Sequence, residues 1–451
     1  MLLLCGYALA QDLGLTVGDV TASTALVWAH PEQPGTYEVE LSSGKKRVVA
    51  SLVADPERGG AGQVLVTGLK PDRDWTVWLV GTSSTATFRT PPKPQTFRPT
   101  TIAWGGDLGG QDVCRDASLG YPVFTPIREA RPELFLALGD MIYADAACTD
   151  TGRFGNAQLP GAPVAATLPV FREDWIYNLA DPGYRALRAT TPIVAVWDDH
   201  EVVNDFGPQG DVRSRPPYTD GEHLLPIGLR AFREFNPLPE SLHRSIRWGE
   251  AIELIVLDTR SYRSPNTAPD DASKSMLGAE QERWLIDTLR NSNATWKLVV
   301  SSVPLAAPTG AVTARDGWSA VGGVGGYQTE LRRILNAIAD VDNVVFVTTD
   351  VHYAAAWRYR PVPERPDFVM HELVAGPLNA GLFPNREFAD DLGAAQLFFH
   401  GPASKDAVRT YEEALGWFNF GVAQVTADGD LRVRWRDARG RVVGALDLPH
   451  R

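Results

Sequence analysis

Five apolar, strand-like runs end on an aspartate. TIAWGG leads to Asp107, LFLALG to Asp140, IVAVW to Asp198 and Asp199, IELIVL to Asp258, and VVFVTT to Asp350. Two of these have a histidine close behind, as Asp199-His200 and Asp350-Val-His352. Strand ends on one edge of an α/β sheet lie close in space, and ligands bind in the crevice there. Carboxylates gathered in one crevice repel, and some must protonate unless a cation sits among them. The pattern points to a metal centre.

In Gly139-Asp140-Met141-Ile142-Tyr143 the carboxylate has two oxygens and could bridge two cations, with Tyr143 bending back to the same place. A phenolate ligand favours a hard, highly charged ion such as ferric iron. The plainer reading is a tyrosine packed near a strand end. Trp197-Asp198-Asp199-His200-Glu201, followed by Asn204 and Asp205, puts four adjacent ionisable residues after an apolar strand. Such a run is costly to bury without a purpose. His200 is placed to give a proton to a leaving oxygen or to hold developing negative charge. The alternative is a capping cluster at a helix start. Asp350 and His352, two apart at a strand end, point to one side and could face one ion pair.

The elements that must position these residues fall into two regions. Residues 12–92 read as seven short alternating strands separated by turn signals, a small all-β sandwich. Residues 93–99 lie in a proline-rich stiff linker. From residue 100 to 451 strands alternate with helical stretches, the α/β pattern. Helices are expected over Pro122–Arg131, Phe171–Leu179, Leu229–Phe235, Gly278–Arg290 and Tyr327–Ala339, and the chain closes with two strands, Gly421–Thr426 and Leu431–Trp435. Long Gly- and Pro-rich segments at 145–170, 204–226 and 306–326 are expected to be functional or mobile. The Gly-rich run Gly317–Glu330 lacks the GK[ST] of a phosphate-binding P-loop and reads as a loop over the site.

Composition narrows the partners. With 43 basic and 55 acidic residues the net charge is −12, which argues against a nucleic-acid binder. Anionic small molecules stay open, because bound cations would set the local sign. The opening segment MLLLCGYALAQ, residues 1–11, looks like the tail of a secretory signal, or else a short apolar strand. No later run reaches the length of a membrane span. Cys114 and Cys148 each follow a strand end, and their loops could meet in a disulfide; two unrelated buried thiols are the alternative.

The ordered set Asp107-x-Gly109, Gly139-Asp140-x-x-Tyr143, Asp199-His200-Glu201 and Asp350-x-His352 resembles the motifs of calcineurin-like metallophosphoesterases. WDDHEVVNDF (197–206), LDTRSYR (257–263) and LGAEQERWLIDTLRNSNATWK (277–297) are similar to stretches of the PhoD-like alkaline phosphatases and phosphodiesterases. The resemblance implies a four-layer αββα sandwich behind a small fibronectin III- or Ig-like sandwich, and a secreted or periplasmic enzyme. It also implies a phosphoric ester hydrolase using a two-metal-activated hydroxide. An iron ion (Fe3+) would take Asp107, Asp140, Tyr143 and His352. A divalent ion such as Ca2+, Mg2+ or Mn2+ would take Asp140, Asp199, Asn204 and Asp350, with His200 assisting the leaving group. Arg260 or Arg115 could bind the substrate phosphate, or could instead hold a structural ion pair. Many PhoD-like enzymes have a cysteine ligand where Asp107 stands, whereas Asp107-Leu-Gly109 is similar to purple acid phosphatases. A purple-acid-phosphatase-like enzyme and a non-catalytic extracellular binding protein are the competing readings. For the latter, one of the motif acids or histidines would be expected to be missing.

Overall fold

The computed structural model describes residues 11–207, 223–323, 325–384, 387–389, 392–404 and 406–451. The signal-like segment therefore lies outside the described residues apart from Gln11, as does most of the loop 204–226. Two sheets dominate. One has nine strands in the order Val442–Leu448, Leu431–Asp437, Asn419–Val425, Thr100–Gly105, Leu134–Ala137, Ile193–Ala195, Gly14–Gly18, Thr24–His30 and Gly62–Thr67. The other has seven, ordered Arg244–Trp248, Ile252–Val256, Trp296–Val300, Val344–Thr348, Met370–Val374, Ala354–Tyr359 and Ala395–His400.

The layers follow from which faces are apolar. In the nine-stranded sheet Ala103, Phe135 and Ala195 point to one side, where the helices Phe124–Glu129, Leu168–Leu179, Pro182–Thr190 and Leu224–Phe235 pack. Ile102, Trp104, Leu134 and Val194 point to the other and meet Leu254, Leu298 and Val345 of the seven-stranded sheet. The far face of that second sheet is covered by Gly278–Asn291 and Gln328–Ala337. The result is a helix–sheet–sheet–helix sandwich. Its central parallel strands are buried on both faces, which is why they are near-continuous apolar runs, with the acids of the site standing beyond their ends.

All seven strands expected before residue 92 form. Gly35–Ser43, Lys46–Ala54, Asp74–Leu79 and Thr85–Arg89 make a separate four-stranded sheet. The separation expected at residue 92 needs one correction. The other three strands extend the nine-stranded sheet, joined where Gly18 pairs in parallel with Ile193. The 93–99 segment is docked on the body, with Arg98 paired to Glu133 and Thr96 O accepting from Glu250 N–H at 3.1 Å. The five expected helices are present with shifted ends; Pro182–Thr190, capped by Asp181, and the last strand Val442–Leu448 were not anticipated.

Candidate metal centre

Three neighbouring parallel strands, Thr100–Gly105, Leu134–Ala137 and Ile193–Ala195, deliver Asp107, Asp140 and Asp198-Asp199 to one edge. Val344–Thr348 in the second sheet delivers Asp350 and His352 to the same place. Asp107, Asp140, Asp350 and His352 all adopt positive φ, between 52° and 74°. Sparsely populated backbone of this kind persists where the surroundings over-determine it, and it clusters at functional sites. Gly376 shows how tight the packing is: a Cβ there would lie 2.4 Å from Asp107 Oδ2.

The acids converge. Ligand atoms of Asp140, Asp198, Asp199 and Asp350 lie within 4.8 Å of one another, as do those of Asp140, Asp199 and His200. Asp107, Tyr143 and His352 meet beside them. His352 Nε2 is 3.1 Å from Tyr143 Oη and 3.5 Å from Asp107 Oδ1. His352 Nδ1 faces the carbonyl of Gly381 and so carries the proton, which leaves the Nε2 lone pair directed at the site.

Electrostatics mark this edge as a place for cations. Burial pushes the Asp107 carboxyl up to about 7. Burial, with Asp199 next, lifts Asp140 well above the usual carboxylate range, and burial lifts the Tyr143 phenol likewise. Burial, with Asp198 next, raises Asp350, and burial holds His352 down to about 3, hence neutral. Asp107 Oδ1, Asp140 Oδ2, Asp198 Oδ2 and Asp350 Oδ2 are buried without a hydrogen-bond partner among the described residues. Buried carboxylate oxygens seldom lack partners, and cations fit this donor set of hard oxygens and one neutral imidazole. Asp198 has Oδ1 on Arg260 and Ser302 while it also belongs to the cluster of acids.

His200 lines the cleft with its Nδ1 2.6 Å from Asp145 Oδ1. Burial alone would lower its pKa, but Asp145 and Asp199 outweigh that and raise it to about 10. Asp145 also accepts from the Asn204 backbone N–H at 2.9 Å. Asn204 itself lines the same cleft of about 640 Å³, beside Asp199 and Asp350. Glu201 fastens two strand ends together: it accepts from the backbone N–H of Asp140, Met141 and Asp198 at 2.8 to 3.0 Å. Neither role was read from sequence. The partners that decide them, His200 for Asp145 and the Asp140 and Met141 backbone for Glu201, arrive from another part of the chain. The signal that could have found Asp145 is its position two residues beyond Tyr143.

Two expectations of substrate contact are corrected. Arg260 is fully buried and committed to Asp198, Asp316 and the Phe206 carbonyl, so it is the structural ion pair of the two alternatives. Arg115 turns away to the helix Leu168–Leu179, donating to Tyr177 O at 2.7 Å and lying over the Tyr177 ring. Asp258 accepts from Trp197 Nε1 and from the backbone of its own turn, and takes no part in the cluster. Cys114 and Cys148 form a disulfide, which ties the loop after Asp107 to the loop after Tyr143.

The sandwich and its strand-edge acids define a calcineurin-like α/β protein with a candidate metal centre. The chain belongs to the PhoD-like phosphatase family, whose model matches residues 109–435. It is 26% identical over 397 residues to alkaline phosphatase D of Bacillus subtilis, an alignment covering 76% of this chain and 64% of that protein's length. A solved structure of PhoD superposes with a TM-score of 0.75 at 20% identity, covering 96% of this chain and 88% of the other. A purple acid phosphatase from yellow lupin (Lupinus luteus) seeds gives 0.63 at 15% identity, covering 96% and 73%. At these identities the two structures speak for the fold.

Proposed function

We propose that this protein is a metal-dependent phosphoric ester hydrolase acting on monoesters, diesters or both. The observation that carries this is the set of four buried carboxylate oxygens, on Asp107, Asp140, Asp198 and Asp350, without a hydrogen-bond partner among the described residues, in a chain of the PhoD-like phosphatase family. Asp107, Asp140, Tyr143 and His352 would hold one ion, iron in our reading. Asp140, Asp199, Asn204 and Asp350 would hold a divalent ion such as calcium. When bound, such ions activate water and offset charge on phosphoryl oxygens.

The chain's own residues account for the remainder. His200, charged across the neutral range and held through Nδ1 by Asp145, has Nε2 left to give its proton to the departing alkoxide. Glu201 accepts from the Asp140 and Asp198 backbone N–H groups and so keeps these two strand ends, whose acids would face the ions, in register. The oxygen-rich cluster of Asp140, Asp198, Asp199 and Asp350 favours a PhoD-like second site over one built on histidine. We further propose a secreted or periplasmic location, which the Cys114–Cys148 disulfide supports. Hydrolysis of an aryl phosphate and a bis-aryl phosphate, with metals resupplied, tests the activity; cleavage of neither would refute it.

A further inference from the structure

With Arg260 and Arg115 committed elsewhere, one guanidinium lines the cleft among the described residues. Arg315 sits on its wall, at the end of the short hairpin Gly310–Ala311 and Ala314–Arg315. Its side chain is held along one edge: Nε donates to Val321 O at 3.1 Å and a terminal nitrogen donates to Gly310 O at 3.0 Å. Those partners are neutral carbonyls, and none of the ion pairs among the described residues uses Arg315. The adjacent Asp316 is paired with Arg260 and Arg263 instead. On the same wall, Thr309 buries a hydroxyl oxygen that has no hydrogen-bond partner among the described residues. Phe383, Pro384 and Ala311 make the neighbouring lining apolar.

A cation fixed by its surroundings and an idle hydroxyl, beside a row of metal-binding acids, match the outer oxygens of a phosphoryl group. We infer that Arg315 and Thr309 hold those oxygens, and that Arg315 biases the cleft toward dianionic phosphomonoesters over monoanionic diesters. The inference rests on the phosphoric-ester reading above. One positive charge attracts a dianion more strongly than a monoanion at the same distance.

Steady-state kinetics on an aryl phosphate and a bis-aryl phosphate, with metal content measured for every variant, test it. Arg315→Gln should raise KM for the monoester about tenfold or more, the worth of a charge-assisted hydrogen bond. The diester should suffer less, so the monoester-to-diester ratio of kcat/KM falls. Arg315→Lys should keep most of that ratio, because it keeps the charge. Equal losses on both esters, or a lysine variant as impaired as the glutamine one, would overturn the inference and leave Arg315 as a loop fastener. Should Arg315→Gln not fold, Thr309→Val decides. It disturbs no ion pair and should raise the monoester KM about threefold; an unchanged KM overturns the assignment. Wild-type protein inactive on both esters would remove the reading beneath it, an outcome distinct from either.

Discussion

Nδ1 of His200 lies 2.6 Å from Oδ1 of Asp145, although the two residues are 55 positions apart. This pairing fixes the imidazole and, with Asp199, outweighs burial to raise its pKa to about 10; on the proposed reading its second nitrogen would carry the proton. Asp145→Asn should therefore cut kcat by about a hundredfold, within the range of general acid–base catalysis, while bound metal stays near wild type. Steady-state kinetics with metal analysis checks this. Metal loss comparable to the activity loss would assign Asp145 to the metal site instead.

Arg260 joins the strand-edge Asp198 to Asp316 in the Gly-rich loop, and all three are buried. Removing the cation leaves the buried Asp198 without its counter-ion, while Asp316 keeps only Arg263. Arg260→Met should cost about 3–5 kcal/mol in denaturant unfolding. Restoring neutrality with Asp198→Asn in the same chain should recover part of that. A cost below about 1 kcal/mol, the worth of an exposed ion pair, would contradict the arrangement.

The acids give a pH dependence whose sign is fixed. Burial pushes Asp107 and Glu201 up to about 7 and Asp198 to about 6 in the folded protein without cations. In the unfolded chain such groups titrate near about 4. A raised folded value means their contribution is full below about pH 4 and is lost as the pH rises through about 7. Chelator-treated protein should thus lose Tm across that window, and added cation should restore most at its upper end. A cation-induced Tm gain that is equal at both ends of the window would speak against cations among these acids.

The Cys114–Cys148 disulfide closes a 34-residue separation around the loops that carry Tyr143 and Asp145. Cys114→Ser with Cys148→Ser should lower stability by about 2–4 kcal/mol. A chemical denaturation series in oxidised and reduced protein measures it, and coincident curves would show that the bond contributes nothing.

Much of the site was legible because buried parallel strands must be apolar. An aspartate closing such a run, as Asp107, Asp140, Asp199 and Asp350 do, stands out against them. Asp145 did not stand out, since a lone acid in a loop has no period, and Glu201 stood out only as part of the ionisable run, because its partners on the Asp140 and Met141 backbone are set by tertiary packing. Arg260 illustrates the limit from the other side: its residue type fits a phosphate equally well, and only burial against Asp198 and Asp316 decides. The Pro182–Thr190 helix carried a readable signal, an Asp181 cap followed by proline at the first turn. The sharing of the nine-stranded sheet between residues 14–67 and the rest was not readable, because the Gly18–Ile193 pairing links segments far apart in sequence.

On the proposed reading two cations would share Asp140 and support phosphoric ester hydrolysis. Its most direct test is elemental analysis of the purified protein and of Asp140→Asn, paired with hydrolysis of an aryl phosphate and a bis-aryl phosphate. We expect two metal ions per chain and ester cleavage in the wild type, with both lost together in the variant. Wild-type protein that binds no metal and cleaves neither ester, even with metals resupplied, would rule out a cation-dependent phosphoric ester hydrolase.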